Sequence, residues 1–361
     1  MNTPALIIDN DAFERNLDRM ARHCREAGLH LRPHAKTHKS IEIARRQAAA
    51  GAVGICCAKL GEAEVLASGG IGSILLTSPV VTAEGGRRLA GLNEVVPELS
   101  VVVDSPENLS LLAEAAQESG QPLHVLVDID VGLHRTGISP GVRAAELAES
   151  ITRSPQLRLG GIQGYAGHLM HLPGRSEREL ATREAMDALA RTRNVLRQRG
   201  LPCDVVTGGG TGTFDIEPRI GALTELQAGS YLFMDTQYAE IWETGGESVP
   251  FETSLFVQTT VISSNIAGHA TTDAGTKAFA TDAGLPRVVD GAPPGTRYVF
   301  LGDEQGGLEL PETASRPAPG AVITCAAPHC DPTVNLYDEY HVVKGDTLVE
   351  IWPVDARGRS Q

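Results

Sequence analysis

The chain has 361 residues, of which 42% are hydrophobic and 21% charged, with a net charge of −14. That is the balance of a globular protein in water, long enough for one large domain and a smaller one. The negative charge argues against nucleic acid or an anionic membrane surface as partner, and no apolar run approaches the ~18 residues that span a bilayer. Met1-Asn2-Thr3-Pro4 lacks a basic region leading into an apolar stretch, so no signal peptide is expected. The six cysteines form no C-x-x-C pair and show no framework spacing, so reduced thiols in the cytoplasm are the expectation.

In chain order, a strand over residues 5–9 leads into an N-cap at Asn10 or Asp11 and a helix to about residue 25. Short aliphatic runs then recur at 29–32, 53–58, 73–76, 100–103, 123–128, 159–164, 204–206 and 223–227. Between most of them lie amphipathic stretches of helical length, clearest at 41–49, 62–67, 106–118, 142–151 and 177–199. Strands that alternate with helices require a parallel sheet, and eight such units close as a (β/α)8 TIM barrel, assigned to residues 10–240. The alternative is a doubly wound open sheet, which the count favours less. From about Tyr238 the texture changes to strands at 257–263, 297–301, 321–326 and 347–352 with turn-rich gaps and no convincing helix. Residues 241–361 are therefore expected to form a C-terminal all-β domain, joined by the strand at residues 1–9.

Reactive groups of a β/α barrel gather at the C-terminal ends of its strands. The first strand ends in Arg32-Pro33-His34-Ala35-Lys36-Thr37-His38-Lys39, and a lysine crowded by cations is one whose amine gives up its proton and forms Schiff bases. A solvated basic turn is the plainer reading of that stretch. The seventh strand ends in Thr207-Gly208-Gly209-Gly210-Thr211-Gly212-Thr213 and the eighth in Gln227-Ala228-Gly229-Ser230-Tyr231. Each alone is a tight turn. At the two positions where barrels bind phosphate, together they read as an anion cradle of Thr207, Gly209, Gly210, Thr211, Gly229, Ser230 and Tyr231. A cradle facing Lys36 describes a pyridoxal phosphate site. Arg135, after the fifth strand, would face the cofactor's phenolate oxygen or else pair with a structural aspartate. Tyr165, after the sixth, would lie on a pyridine ring or else be a core aromatic. In an extended segment His329 and Asp331 point to one side, a pair suited to Mn²⁺, Mg²⁺ or Zn²⁺ with water completing the shell; a polar turn is the alternative.

With these motifs assembled, the chain resembles the D-threonine aldolase and D-serine dehydratase-like family, pyridoxal phosphate enzymes of the alanine-racemase fold. The resemblance spans nearly the whole chain. It rests on Arg32–Lys39, Gly208–Thr213, Gln227–Tyr231, the D-A-G-T-K run at Asp273–Lys277 and the H-x-D-P-T-x-N-L run at His329–Leu336. It implies that Lys36 carries the cofactor covalently, that Arg135 and Tyr165 contact it, and that Gln227 stands at the ring nitrogen, leaving that nitrogen unprotonated. The family's dehydratases resemble H-x-C where this chain has H-x-D. That favours the aldolase branch and a harder metal, Mn²⁺ first, with Cys330 able to reach it only by a shift of the backbone. The implied activity is retro-aldol cleavage of a D-β-hydroxy-α-amino acid to glycine and an aldehyde, with D-threonine as first substrate. D-3-hydroxyaspartate cleavage or D-serine dehydration are the alternatives. His168, a water on the metal or Lys36 would take the hydroxyl proton, and a homodimer is expected.

Overall fold

The computed structural model of the chain describes residues 2–361. The apolar strand β1 (Ala5–Asp9) runs straight into α1 (Asn10–Glu26), whose first turn is capped by Asp9 accepting from the N–H groups of Asp11 and Ala12 at 3.0 and 3.1 Å. An alternation follows: β2 (His30–Leu31), α2 (Ile41–Ala49), β3 (Ile55–Cys57), α3 (Leu60–Ser68), β4 (Ser73–Leu76), α4 (Ala83–Val95) and β5 (Glu98–Val103). It continues with α5 (Leu109–Glu118), β6 (Leu123–Asp128), α6 (Val142–Arg153), β7 (Leu157–Gly164) and α7 (Arg175–Gln198). β8 (Val205–Gly208), the short α8 (Glu217–Ile220) and β9 (Glu225–Leu226) complete it.

The eight strands β2 to β9 pair in parallel in the order β2-β9-β8-β7-β6-β5-β4-β3. A parallel bridge between His34 and Cys56 joins the two end strands, with the Cys56 N–H donating to the Pro33 carbonyl at 2.8 Å. The sheet closes as a barrel, which rules out the open doubly wound arrangement. Its strands are short aliphatic runs because both faces are buried. Cys56, Leu75, Val102 and Leu126 form one buried cluster with Val205 against it. Where β6 and β7 slip register, Gly161 has φ 154°, and a Cβ there would stand 1.8 Å from the Val205 carbonyl oxygen, so only glycine fits.

Helix α4 was not among the expected helices. Gly85, Gly86 and Gly91 disguise it as a loop, yet Thr82 caps it, accepting from the Gly85 N–H at 3.0 Å. A Cβ on Gly85 would approach Val80 to 2.8 Å and one on Gly86 would approach Leu111 to 3.2 Å, so close packing explains these two glycines, whereas Gly91 faces open space.

Two helices also interrupt the region expected to be all β. After the barrel come α9 (Thr236–Thr244), β10 (Leu255–Ser263), β11 (His269–Thr272), β12 (Arg287–Asp290), β13 (Arg297–Phe300) and β14 (Gly306–Glu309). Then follow β15 (Val322–Ala326), α10 (Cys330–Val334), β16 (Glu339–Lys344) and β17 (Thr347–Pro353). Their sheet runs β13-β14-β11-β10-β1-β16-β17, with β15 bridging β10 to β12. β1 lies in its middle, antiparallel to β10 and parallel to β16.

By packing, the barrel unit comprises residues 19–36, 41–229 and 358–361, and the β unit comprises residues up to Asp18, 37–40 and 230–357. The division falls after Gly229, ahead of the 240/241 boundary that composition suggests. Tyr231 meets Phe251 with ring centres 5.6 Å apart and a 58° tilt, and the Leu232 carbonyl accepts from Ser254 Oγ at 2.8 Å and Asn16 Nδ2 at 3.1 Å. No helix among the described residues is long and apolar enough to cross a membrane.

Candidate active site

In the barrel unit, β2 ends and the chain makes one 3-10 turn, Ala35–Thr37, that presents half-buried Lys36. The Lys36 N–H donates to His34 Nδ1 at 3.3 Å, which leaves the proton on His34 Nε2, 3.2 Å from Thr77 Oγ1. Arg32 does not join Lys36 in a cationic cluster. It grips Glu225 at 2.9 and 3.1 Å and donates to Ser73 Oγ at 3.0 Å, inside the wall of the barrel. The rest of the octapeptide belongs to the β unit, where the His38 carbonyl accepts from Tyr340 Oη at 2.6 Å and the Lys39 carbonyl from the Ala356 N–H at 2.9 Å. Of the five cations read together in the sequence, Arg32, His38 and Lys39 lie in structural positions.

Arg135, Tyr165 and the glycine turn come together. The exposed Arg135 guanidinium stands 5.4 Å from the centre of the half-buried Tyr165 ring, a cation–π contact. A Cβ on Gly210 would stand 3.5 Å from Cε2 of that ring. His168 follows in the turn after β7, exposed, with Nε2 3.4 Å from where a Gly132 Cβ would lie. Partial burial and the neighbouring His134 hold its pKa below the ordinary histidine range, with Asp130 opposing them. Asp130 is itself occupied by His134, 2.6 Å away.

The glycines of the 208–213 turn have a packing reason. A Cβ on Gly208 would meet the Gly164 carbonyl at 2.1 Å, one on Gly209 would meet Glu217 Oε2 at 2.3 Å, and one on Gly212 the Met170 carbonyl at 2.1 Å. The turn is thus pressed onto the barrel by its own backbone, with Thr207 and Thr211 buried beside it. Beneath it sits Glu217, which sequence reasoning missed. It is fully buried, accepts from Thr213 Oγ1 at 2.7 Å, and burial pushes its carboxyl up to about 8.

Gln227 and Thr207, named from the sequence, belong to a chain of buried polar side chains whose other members, Asp128 and Gln163, the sequence did not single out as site residues. Gln163 Nε2 donates to the Thr77 carbonyl at 3.3 Å and to Asp128 Oδ1 at 3.0 Å. Gln227 Nε2 donates to Gln163 Oε1 at 3.1 Å and to Thr207 Oγ1 at 3.0 Å. Thr136 donates to the other Asp128 oxygen at 2.7 Å. Burial pushes Asp128 up to about 6, against the pull of these hydrogen bonds and of Arg135. The only signal was polar residues closing aliphatic strands. Gly229 ends the barrel unit, whereas Ser230 and Tyr231 are buried in the β unit, Tyr231 as a core aromatic.

In the β unit, the stretch 329–334 is not extended as the sequence suggests. His329 is the extended N-cap residue of α10, and Asp331 lies within the helix. The cause is a contact far along the chain: Asp235 Oδ2 accepts from the Cys330 N–H at 2.9 Å while its Oδ1 caps α9 through the Tyr238 N–H, also at 2.9 Å. Cys330 is fully buried, with Sγ donating to the Met234 carbonyl at 3.3 Å, so it points into the core. His329 Nδ1 meets Asp282 Oδ2 at 2.7 Å. That bond fixes the ring through Nδ1, the way carboxylates orient metal-binding histidines. Among the described residues no group of three or more His, Cys, Asp or Glu side chains is arranged to hold a metal, so His329 and Asp331 would offer two protein ligands and leave the rest to water.

A closed barrel with a lysine turn after its first strand, followed by a mostly antiparallel β unit, is the architecture of the alanine-racemase fold. The alanine racemase N-terminal domain family matches residues 8–237, and the putative serine dehydratase domain family matches residues 254–343. The chain is 39% identical to a D-threonine aldolase of an Arthrobacter species, over 100% of this chain and 94% of that protein. It is 35% identical to a 3-hydroxy-D-aspartate aldolase of Paracoccus denitrificans, over 99% and 93%. The crystal structure of D-threonine aldolase from Filomicrobium marinum superposes with a TM-score of 0.95 at 41% identity, covering 99% of this chain and 96% of that one. The chain belongs to the D-threonine aldolase and D-serine dehydratase-like family, pyridoxal phosphate-dependent lyases of the alanine-racemase fold.

Proposed function

We propose that the chain is a metal-activated D-threonine aldolase that cleaves D-β-hydroxy-α-amino acids to glycine and an aldehyde. The observation that carries this is the 39% identity to a D-threonine aldolase along the full chain. D-3-Hydroxyaspartate is the second substrate considered, because a 3-hydroxy-D-aspartate aldolase is nearly as similar. The aspartate two places after His329 supports cleavage over D-serine dehydration.

The barrel residues fit pyridoxal phosphate. A planar aromatic with a guanidinium on its face adjoins a turn whose glycines bring the backbone close, and half-buried Lys36 closes the first strand. When bound, the cofactor supplies the electron sink for the pair left on Cα once the Cα–Cβ bond breaks. Lys36 Nζ would hold it covalently. Thr207, Gly209, Gly210 and Thr211 would take its phosphate, with Gly229, Ser230 and Tyr231 the further contacts that the sequence suggests. Arg135 would face its phenolate oxygen and Tyr165 its ring. In the β unit His329 and Asp331 would hold Mn²⁺, or Mg²⁺ or Zn²⁺ in its place, which supplies a Lewis acid for a hydroxyl oxygen. His168, its pKa lowered by partial burial and by His134, would receive the β-hydroxyl proton on its imidazole nitrogen. A homodimer is part of the reading, supported by the exposed apolar Leu348, Val349 and Ile351 on β17, and sedimentation would test it.

The decisive experiment offers D-threonine to purified protein with EDTA, then with Mn²⁺, and follows glycine. Glycine that appears with Mn²⁺ and vanishes with EDTA is expected. Pyruvate from D-serine, or no product from any D-β-hydroxy-amino acid, would overturn the reading.

A further inference from the structure

The buried chain at the mouth of the barrel has a direction, and chemistry alone sets it. An amide has one donating and one accepting end, and its orientation follows from its partners. The Thr77 carbonyl can only accept, and so can an ionised Asp128. Both lie within reach of the same end of Gln163, at 3.3 and 3.0 Å, so that end must be the NH₂ group. Turned over, Gln163 would set its oxygen against two other oxygens. Its Oε1 therefore faces Gln227, which must answer with its own NH₂, 3.1 Å away. The second proton of that NH₂ goes to Thr207 Oγ1 at 3.0 Å. Both amide protons of Gln227 are then engaged inside the barrel wall, and its carbonyl oxygen is the group left to face a ligand. The backbone carbonyl of Thr77 has no titration of its own, so the direction does not hang on Asp128 alone.

We propose that Thr77, Asp128 and Gln163 form a relay that turns the oxygen of Gln227, and never its N–H, toward the cofactor, so that the pyridine nitrogen is held protonated. This rests on the reading of the barrel as a pyridoxal phosphate site with Gln227 at the ring nitrogen. It reverses the expectation drawn from the sequence, where a neutral amide in that place implied an unprotonated ring. An acceptor oxygen is satisfied only by a ring N–H, and a lone pair on that nitrogen would face the Gln227 oxygen with nothing between them. Asp128 and Gln163 are positioning residues here, since they act only through Gln227. The consequence for the reaction is a stronger electron sink, because a pyridinium draws charge from Cα more strongly than a pyridine.

The test uses holoprotein reconstituted with pyridoxal phosphate labelled with ¹⁵N in the ring, together with borohydride reduction and peptide mapping. An adduct at Lys36 with the ring ¹⁵N resonance in the pyridinium range is expected. Gln163→Met frees the Gln227 amide to turn, and its ring resonance should move toward the neutral-pyridine range while the adduct at Lys36 persists. Gln227→Glu, which offers only acceptor oxygens, should keep the pyridinium resonance. A neutral-pyridine resonance in the unaltered protein overturns the proposal while leaving the cofactor reading in place, as does an unmoved resonance in folded Gln163→Met. Absence of any adduct at Lys36 removes both.

Discussion

The polar groups of the barrel unit and those of the β unit are built in opposite ways. In the barrel, Asp128, Gln163, Thr207 and Gln227 are almost wholly buried and hydrogen-bonded to one another, so each side chain has one orientation. In the β unit, His329 and Asp331 are only partly covered, and the imidazole is braced by an exposed Asp282. A buried network loses stability when any member is cut, because the partner is left desolvated. An open pair tolerates exchange with water and suits a group that arrives from solution. The first arrangement fits a cofactor that stays, and the second a cation whose occupancy follows its concentration.

That contrast can be broken most sharply at Lys36. Lys36→Ala should reduce glycine release from D-threonine to background and remove the cofactor's visible band, and a variant that retains both would end the assignment. At the other site, chelation should stop glycine release with no change in that band, and Mn²⁺ should restore it; a band lost with the metal would erase the distinction. Asp282→Asn should weaken the apparent Mn²⁺ affinity by about 10–100-fold, the usual consequence of removing a carboxylate behind a ligating histidine. A Mn²⁺ titration of activity measures it.

Two smaller effects sharpen the barrel side. The side chains of Arg32 and Glu225 are 15% and 6% exposed, so Arg32→Met should destabilise the protein by about 3–5 kcal/mol by stranding a buried carboxylate. Urea unfolding would show it. Glu217 keeps its proton in the folded chain up to about pH 8, whereas the unfolded chain releases it near the ordinary value of 4.5. Between those values the folded state binds more protons, so this group's contribution to stability falls as pH rises. Glu217→Gln should flatten that decline, and melting temperatures across this window would reveal a parallel pair of curves if the carboxyl were already ionised.

Much of the barrel could be read from its aliphatic runs, because strands buried on both faces need no partner information to be recognised. α4 could not, since Gly85 and Gly86 answer to Val80 and Leu111, one of them on another helix. β9 is only Glu225–Leu226, yet Thr224 and Gln227 on either side still donate their N–H groups to the Val206 and Gly208 carbonyls, so the run 223–227 was legible as a strand. Tyr165 and Arg135 were visible by their places after strands, and they do meet. The direction of the Gln163–Gln227 chain was not visible, because it depends on a backbone carbonyl from another strand's end. The helical turn at 330–334 was hidden for a similar reason: Asp235, which holds it, lies 95 positions away.

Strand β1 carries a consequence for biosynthesis. Ile7 and Ile8 are wholly enclosed in the finished sheet, where Ile7 faces Phe256 on one side and His341 on the other. At about 5–20 residues per second on the ribosome, this greasy segment waits on the order of 15–70 s for its neighbour His341 to be made. Throughout that interval it is a sticky stretch of nascent chain in search of cover. Nascent-chain holdases should therefore crosslink to residues 5–8 until Glu339–Lys344 has been made, and slowing elongation ahead of that strand should lower the yield of soluble protein.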